Sequence, residues 1–149
     1  MTVPQELDPY VHQLFVAAGC RHVRLPVSPV TTKSSTEFAS KVISDFGGLK
    51  VGTTGQGREL SASDVHFYSK PRLSAEEVVA PWRAKLGRLS AIASAHDDHM
   101  IIFVGADGSF YAFTDPDDRL YRIGATFSEA MNRLLLGLSY GEPMQKTSD

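Results

Sequence analysis

The sequence predicts an α+β fold in a single domain, with a mainly antiparallel sheet of about six strands flanked by about four helices. Apolar residues recur at helical spacing in the N-terminal part and near the C-terminus, whereas short alternating runs separated by turn signals dominate from residue 89 onward. A chain of 149 residues that is 42% hydrophobic can bury one ordinary core without disulfides or metal. We therefore expect one domain over residues 1–149, with a core at about 8–139 and a polar tail at 141–149 that frays.

The first predicted helix covers Pro9–Ala18. Asp8 is a suitable N-cap, proline suits the first helical position, and Gly19 ends the helix. Pro26 and Pro29 then favour an extended segment that leads to the second helix.

The second predicted helix ends in a glycine junction. Phe38, Val42 and Phe46 recur every four residues and place one apolar stripe against a core. Gly47 and Gly48 supply the left-handed turn that ends such a helix, and a strand-like segment begins directly after them.

Two strands follow the junction, over Lys50–Thr54 and Glu59–Tyr68, and the glycines between them suit a hairpin turn. The connection contains the motif Gly52-x-x-Gly55-x-Gly57. It lacks the Gly-Lys-Ser/Thr ending of a phosphate-binding loop and leads into a strand instead of a helix, so we assign it no phosphate role.

A third helix is predicted to begin at a capping box formed by Ser74 and Glu77. Pro81 interrupts or kinks this helix, and Gly87 ends it. We expect Trp82 to anchor the helix to the sheet.

The C-terminal half is predicted to be a β-meander followed by a last helix. Asp107-Gly108 is a clear hairpin signal, and Thr126 or Ser128 caps the helix. The four predicted strands of the meander are Leu89–Ala95, Met100–Val104, Ser109–Thr114 and Leu120–Ile123.

Charge and composition exclude several classes of protein. The formal net charge is −2 and the basic residues are scattered, which argues against direct binding of nucleic acid. The N-terminal residues lack a basic start followed by a long apolar run, and no segment approaches the roughly twenty apolar residues that cross a bilayer. We therefore expect a soluble, cytoplasmic chain with no membrane partner. Cys20 is the sole cysteine, which excludes an internal disulfide, and we expect it to be a small buried hydrophobe.

The loops of the meander carry a group of aspartates that are expected to meet at one end of the sheet. They suit the docking of a basic protein partner, because charge complementarity speeds association and excludes wrong partners. A solvated rim of loop aspartates is the alternative, since Asp is common in turns. The residues are Asp97, Asp98, Asp115, Asp117 and Asp118.

The motif His96-Asp97-Asp98-His99 is the sharpest candidate for a metal site, because imidazole and carboxylate ligands suit zinc or manganese. It supports an alternative function as a small metal-dependent hydrolase. The motif lies between two predicted strands, and no third and fourth ligand is identifiable by spacing. We therefore predict no metal and no other cofactor.

No nucleophilic machinery is recognisable. The sequence contains no Gly-x-Ser-x-Gly elbow and no cysteine-protease signature around Cys20. Asp64 and His66 alternate onto one strand face and are placed to pair, but such a pair is usually an ordinary surface contact. We predict no catalytic residues and no small-molecule substrate.

A series of small and apolar motifs runs from about Leu14 to Leu138. In order, they are Ala18-Gly19, Arg24, Phe46-Gly47-Gly48-Leu49-x-Val51, Leu86-Gly87, Gly108-x-Phe110-Tyr111 and Leu134-Leu135-Leu136-x-Leu138. This series resembles the SUKH superfamily of bacterial immunity proteins, and its third subfamily in particular. The chain departs from the family at Cys20, where Trp is usual, and at Ser90–Ala93, where Pro-Val-Gly is frequent.

The resemblance implies a sheet flanked by helices and a protein that neutralises a cognate toxin, often a nuclease, by stoichiometric binding without catalysis. The partner would be a toxin domain of a bacterial polymorphic toxin system. A regulatory interaction scaffold without a toxin is a further alternative, because SUKH-like domains also serve as general interaction modules. The residues expected to be structural are Phe46, Gly47, Gly48, Leu49 and Gly108 from this pattern, together with Trp82 as the anchor of the third helix.

Overall fold

Six antiparallel strands lie side by side in the same order as in the chain. The computed structural model describes residues 7–20, 34–115 and 117–146. The strands are β1 (Lys50–Val51), β2 (Val65–Phe67), β3 (Ser90–Ala95), β4 (Met100–Val104), β5 (Phe110–Thr114) and β6 (Arg119–Gly124). The helices are α1 (Pro9–Ala17), α2 (Ser35–Phe46), α3 (Arg83–Leu86) and α4 (Phe127–Leu136), and a 3₁₀ segment (Leu73–Trp82) leads into α3. The predicted α+β class, with a six-stranded antiparallel sheet and four helices, is confirmed for the described residues.

The two longest helices begin at side-chain caps, of which the sequence predicts the one at Thr126. The Ser34 hydroxyl accepts a hydrogen bond from the Glu37 backbone N–H at 3.1 Å, and Thr126 does the same for Glu129 at 3.1 Å. Each cap satisfies one of the backbone donors that a helix N-terminus leaves free. Of the two caps considered for α4, Thr126 is therefore the one that forms.

One face of the sheet packs against α1, α2 and α4 around a cluster of phenyl rings. Phe46 stacks on Phe127 with ring centroids 4.7 Å apart, and Phe15 meets both rings edge-on at 5.6 and 5.9 Å. Offset stacking and edge-to-face contacts are the preferred geometries of aromatic pairs. The periodic apolar stripe of α2 therefore ends in the centre of this first core.

The opposite face of the sheet is covered by the 3₁₀ segment and by the C-terminal residues up to 146. Trp82 is only 1% exposed and packs edge-on against Phe113 at 6.1 Å, as expected for an anchor to the sheet. Met144 packs against this second core, and its N–H donates to the Leu120 carbonyl at 2.7 Å. The predicted frayed tail is thus wrong for Met144, because the bond to β6 and an apolar contact hold this residue against the sheet.

The junction between α2 and β1 contains the predicted left-handed glycine at Gly48, whereas Gly47 has φ −53° and is required for a different reason. A Cβ on Gly47 would lie 2.5 Å from the Ile43 carbonyl oxygen, so only glycine fits there without a shift. Gly48 has φ +83°, and its N–H donates to the Phe67 carbonyl at 3.1 Å. The junction therefore fastens the end of α2 to β2 while it turns the chain into β1.

The hairpin between β1 and β2 is shorter than predicted. Only Lys50–Val51 and Val65–Phe67 pair as strands, and residues 52–64 form a long connection. This connection bonds to the last turn of α4: the Arg58 N–H donates to Leu136 and the Ser63 N–H to Leu134, both at 2.8 Å. Carbonyls at a helix C-terminus lack internal partners, so they compete successfully for the donors that a longer hairpin would use.

The third predicted helix also differs from the structure, in which most of it is a 3₁₀ segment. It begins as a 3₁₀ segment at Leu73 without a side-chain cap bond, so the predicted Ser74–Glu77 capping box does not cap this helix. Pro81 lies inside the segment and brings no N–H, which weakens a regular α-helical ladder. Regular α-helix is confined to the four residues of α3, which Gly87 ends as expected.

Candidate partner-binding site

Two turns of the meander lie side by side at one end of the sheet. The first joins β3 to β4 at residues 96–99, and the second joins β5 to β6 at residues 115–118. The Asp115 N–H donates to the His99 carbonyl at 2.9 Å and links them directly. An antiparallel meander places alternate turns at the same end, and this brings the two groups of loop aspartates together.

The first turn has an unusual backbone that a buried carboxylate supports. His96, Asp97 and Asp98 all have positive φ, at 52°, 53° and 68°. Such conformations are costly for residues other than glycine, although Asp and His adopt them more readily than most. Asp64 is only 5% exposed, and one of its carboxylate oxygens accepts the Asp97 N–H at 2.8 Å. The Ser63 hydroxyl lies 3.1 Å from His96 Nδ1 and supports the turn from the same side.

Asp98, Asp115 and Asp118 line one groove of about 340 Å³, which we call the acidic groove. Three carboxylates around an apolar floor favour a positively charged group whose aliphatic or aromatic part packs on that floor. The other lining residues are Val78, Pro81, Trp82, His99, Ile101, Phe113 and Lys146.

The two other predicted aspartates are engaged within the turns. A carboxylate oxygen of Asp97 accepts a hydrogen bond from the Thr54 hydroxyl at 3.0 Å. Asp117 accepts one from Thr114 at 2.5 Å and lies 3.8 Å from the Arg119 guanidinium. The structure therefore places Asp98, Asp115 and Asp118 in the acidic groove, whereas Asp97 and Asp117 bond to neighbouring side chains outside its lining.

The C-terminal residues bring a cation to the acidic groove. The Trp82 indole N–H donates to the Met144 carbonyl at 3.0 Å, which holds the backbone beside the ring. The Lys146 ammonium lies 5.6 Å from the Trp82 ring centroid, within the range of a cation–π contact. Sequence reasoning missed Lys146 because it treated the segment as a polar tail. The apolar side chain of Met144 was the one indication in the sequence that the C-terminal segment packs against the sheet.

The predicted structural residues lie away from the acidic turns, except Trp82. Gly108 has φ +86° in the β4–β5 turn, at the opposite end of the sheet. Leu49 N–H donates to the Phe46 carbonyl at 3.1 Å within the glycine junction. Cys20 is half-buried against the first core. These positions suit residues that support the fold, whereas Trp82 also lines the acidic groove.

The alternative metal site at His96 and His99 finds no complete ligand set in the part of the chain that the structure describes. His96 Nδ1 is within hydrogen-bonding distance of Ser63, while His99 is exposed at the acidic groove. Within residues 7–20, 34–115 and 117–146, no three or more His, Cys, Asp or Glu side chains are grouped so that they can hold an ion. Zinc sites use three or four protein ligands, so the geometry does not favour the hydrolase.

Asp64 and His66 have separate environments. Asp64 supports the β3–β4 turn, as described, while His66 is exposed on the sheet face and pairs in register with Lys50 and Ser94. In the described parts of the chain, no helix has the length and apolar character needed to cross a bilayer.

Comparison of the chain with known protein families gives a match. The family model of the SUKH-3 immunity protein matches residues 28–137, which include the glycine junction, all six strands and α4. Helix α1 and the segment that carries Met144 and Lys146 lie outside the match. Neither the curated proteins nor the solved structures returned a match. Because the family model covers most of the chain, the protein belongs to the SUKH-3 immunity protein family.

Proposed function

We propose that this protein binds a cognate bacterial toxin domain in a one-to-one complex in the cytoplasm and neutralises it without catalysis or a cofactor. Membership of an immunity protein family supports a toxin as the partner. The acidic groove supports a binding mode in which a basic surface of the toxin docks at the paired turns of the sheet.

The observation that carries this proposal is the combination of Asp98, Asp115 and Asp118 with the apolar lining of one groove, which includes Trp82. Each of these three carboxylates belongs to an exposed residue, and none forms an ion pair within 4.0 Å among the described side chains. Lys146 shows that a long cationic side chain fits the groove. An arginine or lysine of the toxin would make the same kind of contact.

The charge of the groove also suits one class of toxin. A nuclease must attract the phosphate backbone of its substrate and therefore surrounds its active site with basic residues. An acidic inhibitor surface that covers such a site competes with nucleic acid and associates quickly. We infer that a nuclease-type toxin is the best fit, with its basic rim seated at the acidic groove.

The test is a titration of the protein with the C-terminal domain of the large secreted protein encoded beside its gene, followed by rescue of toxicity in cells. We expect tight one-to-one binding and rescue. The double variant Asp115→Ala/Asp118→Ala should bind about 10- to 100-fold more weakly, in the range of buried or partly buried interfacial charges. The loss should be larger at about 50 mM salt than at about 500 mM, because salt screens exposed charges.

The matched control is Asp45→Ala/Glu77→Ala, which removes the same charge from exposed positions on α2 and the 3₁₀ segment. It should bind like the unaltered chain. Absence of binding and rescue by the unaltered chain would overturn the proposal and leave an interaction domain without a toxin. Equal losses in the two double variants would show that net charge, and not the groove, determines affinity.

A further inference from the structure

A second groove borders the acidic one on the open part of the sheet. It has a volume of about 740 Å³ and is floored by residues of β2, β3 and β4. The 3₁₀ segment covers the neighbouring sheet face through Val79 and Trp82 but leaves this part uncovered. Its wall is the chain between β2 and the 3₁₀ segment. The lining residues that matter here are His66, Tyr68, Lys70, Arg72, Ser94 and Ile101, and we call this surface the cationic groove.

The cationic groove carries more basic than acidic side chains among its described lining residues. Lys70 and Arg72 are exposed, and neither forms an ion pair with any described residue. Lys50 is the cross-strand neighbour of His66, so it adds a further cation on the same sheet face. Asp98 is the one acidic residue among those that line the groove.

Arg72 is held in position by an aromatic ring. Its guanidinium carbon lies over the Tyr68 ring, 4.3 Å from the ring centroid, which is a cation–π contact. Burial raises the pKa of Tyr68 above its ordinary value, with Arg72 lowering it and Asp98 raising it. Tyr68 therefore remains a neutral phenol at physiological pH and adds no negative charge to the groove.

The two grooves adjoin each other. Asp98 and Ile101 line both of them, so a partner seated on the acidic turns extends directly over the cationic groove. The combined surface is dipolar, with Asp115 and Asp118 on one side of Asp98 and Lys70 and Arg72 on the other.

We propose that the cationic groove binds carboxylate side chains of an acidic segment on the same toxin domain, next to the basic side chains that enter the acidic groove. This inference rests on the proposed function. It assigns an orientation to the complex, because a reversed docking would place like charges against each other on both sides. Arg72 is suited to a carboxylate, which a guanidinium binds through two parallel hydrogen bonds.

The experiment compares three chains in titrations against the same toxin domain: the unaltered protein, Lys70→Ala/Arg72→Ala, and the control Arg83→Ala/Lys85→Ala. The control removes two exposed cations from α3 that do not line the groove, so the net charge is the same. We expect a loss of about 10-fold or more for the groove variant and less than about 2-fold for the control, in line with interfacial charge pairs. Lys70→Glu alone should weaken binding further, and it leaves the Arg72–Tyr68 contact intact.

The outcomes separate this inference from the proposed function. If the unaltered chain binds tightly, and Lys70→Ala/Arg72→Ala binds the toxin domain with the same affinity as its control, the proposed role of the cationic groove is wrong. The proposed immunity function would not be affected by that result. Failure of the unaltered chain to bind would overturn the proposed function. Restored binding between Lys70→Glu and a toxin variant with one acidic residue changed to lysine would identify the facing carboxylate directly.

Discussion

Gly57 and Gly137 lie backbone against backbone: a Cβ built on Gly57 would be 2.8 Å from the Gly137 Cα. Gly137 ends α4 with φ +71°, and its carbonyl accepts the N–H groups of Glu59 and Leu60 at 2.9 and 2.8 Å. Two distant glycines thus allow the β1–β2 connection to approach the helix closely enough to bond its last carbonyls. The same connection leads to Ser63, which supports the acidic turn at His96.

Replacement of Gly137 by Ala should destabilise the protein strongly. The new Cβ would lie 2.3 Å from the Leu60 carbonyl oxygen, and the positive φ adds strain of its own. We expect the free energy of unfolding to fall by about 2–4 kcal/mol, from overpacking together with left-handed strain. Urea denaturation measures this change.

Gly141→Ala is the matched control, since Gly141 has φ +79° and open space around a Cβ. It should lose only about 1 kcal/mol from conformational strain. Equal losses in the two variants would mean that the close approach to the loop carries no cost beyond backbone strain.

Replacement of Ser128 by alanine should stabilise the protein. Its hydroxyl is buried in the first turn of α4 and has no hydrogen-bond partner among the described residues. Removal of an unsatisfied buried hydroxyl, with the higher helix propensity of alanine, should raise the free energy of unfolding by about 1 kcal/mol. Thermal and urea denaturation both report this gain.

Ser109→Ala is the contrasting variant for that measurement. Ser109 is equally buried, but its hydroxyl donates to Asp107 at 3.1 Å and accepts from Arg122 at 3.0 Å. Its replacement should lower stability by about 1 kcal/mol. A loss of stability in both variants would indicate that Ser128 has a partner, such as water, in solution.

Lys146→Ala should strengthen toxin binding. In the free protein Lys146 faces Trp82 in the acidic groove, so an incoming basic side chain must displace it. Removal of a competing exposed cation–π contact should lower the dissociation constant about 2- to 5-fold. Because Trp82 is the single tryptophan, its fluorescence reports directly on occupancy of the groove.

Lys85→Ala serves as the control for that titration, since Lys85 is exposed on α3 and does not line the groove. It should leave the dissociation constant unchanged. If toxin binding left Trp82 emission unaltered in every variant, the acidic groove would not be the binding site.

Stability should decrease at alkaline pH because two tyrosines are buried and a third, Tyr140, is half-buried. Burial raises the pKa of Tyr68, Tyr111 and Tyr140 above the ordinary value of 10.0. The unfolded chain therefore releases these protons first, and the folded state loses stability as the pH rises from about 10 toward the folded pKa values. Below that range the stabilisation is fully present.

Urea denaturation at pH 8 and at about pH 10.5 tests this dependence. Tyr140→Phe should reduce the fall in stability between the two pH values, because a phenylalanine ring keeps the apolar contacts without a proton to lose. An unchanged pH dependence in Tyr140→Phe would mean that Tyr140 does not contribute.

Elements stabilised by nearby residues were predictable from the sequence. The Asp8 and Thr126 caps, the glycine junction after Phe46 and strand β4 at Met100–Val104 occur where they were predicted. In each case, the residues that favour the feature lie within a few positions of it in the chain. Tertiary contacts therefore do not need to change the local conformational preference. The predicted β-meander also led us to expect that the aspartate loops would meet at one end of the sheet.

Features that depend on distant hydrogen bonds were not predictable. The β1–β2 hairpin is short because α4 carbonyls more than seventy residues away take its donors, and Met144 is held by Leu120 and Trp82. Which aspartates face the groove depended on side-chain partners such as Thr54 and Arg119.

The sequence by itself determined the α+β class, the C-terminal β-meander and the family pattern, because periodicity, caps and glycine turns are properties of adjacent residues. The pairing of β2 with β3, which joins the first two strands to the meander, was found only in the structure. Only the tertiary structure decided that Asp98, Asp115 and Asp118 share a groove with Trp82 and that Lys70 and Arg72 lie beside it. Those relationships arise because backbone and side-chain groups far apart in the chain compete for the same hydrogen-bond partners. A local sequence pattern does not show which of these partners will pair.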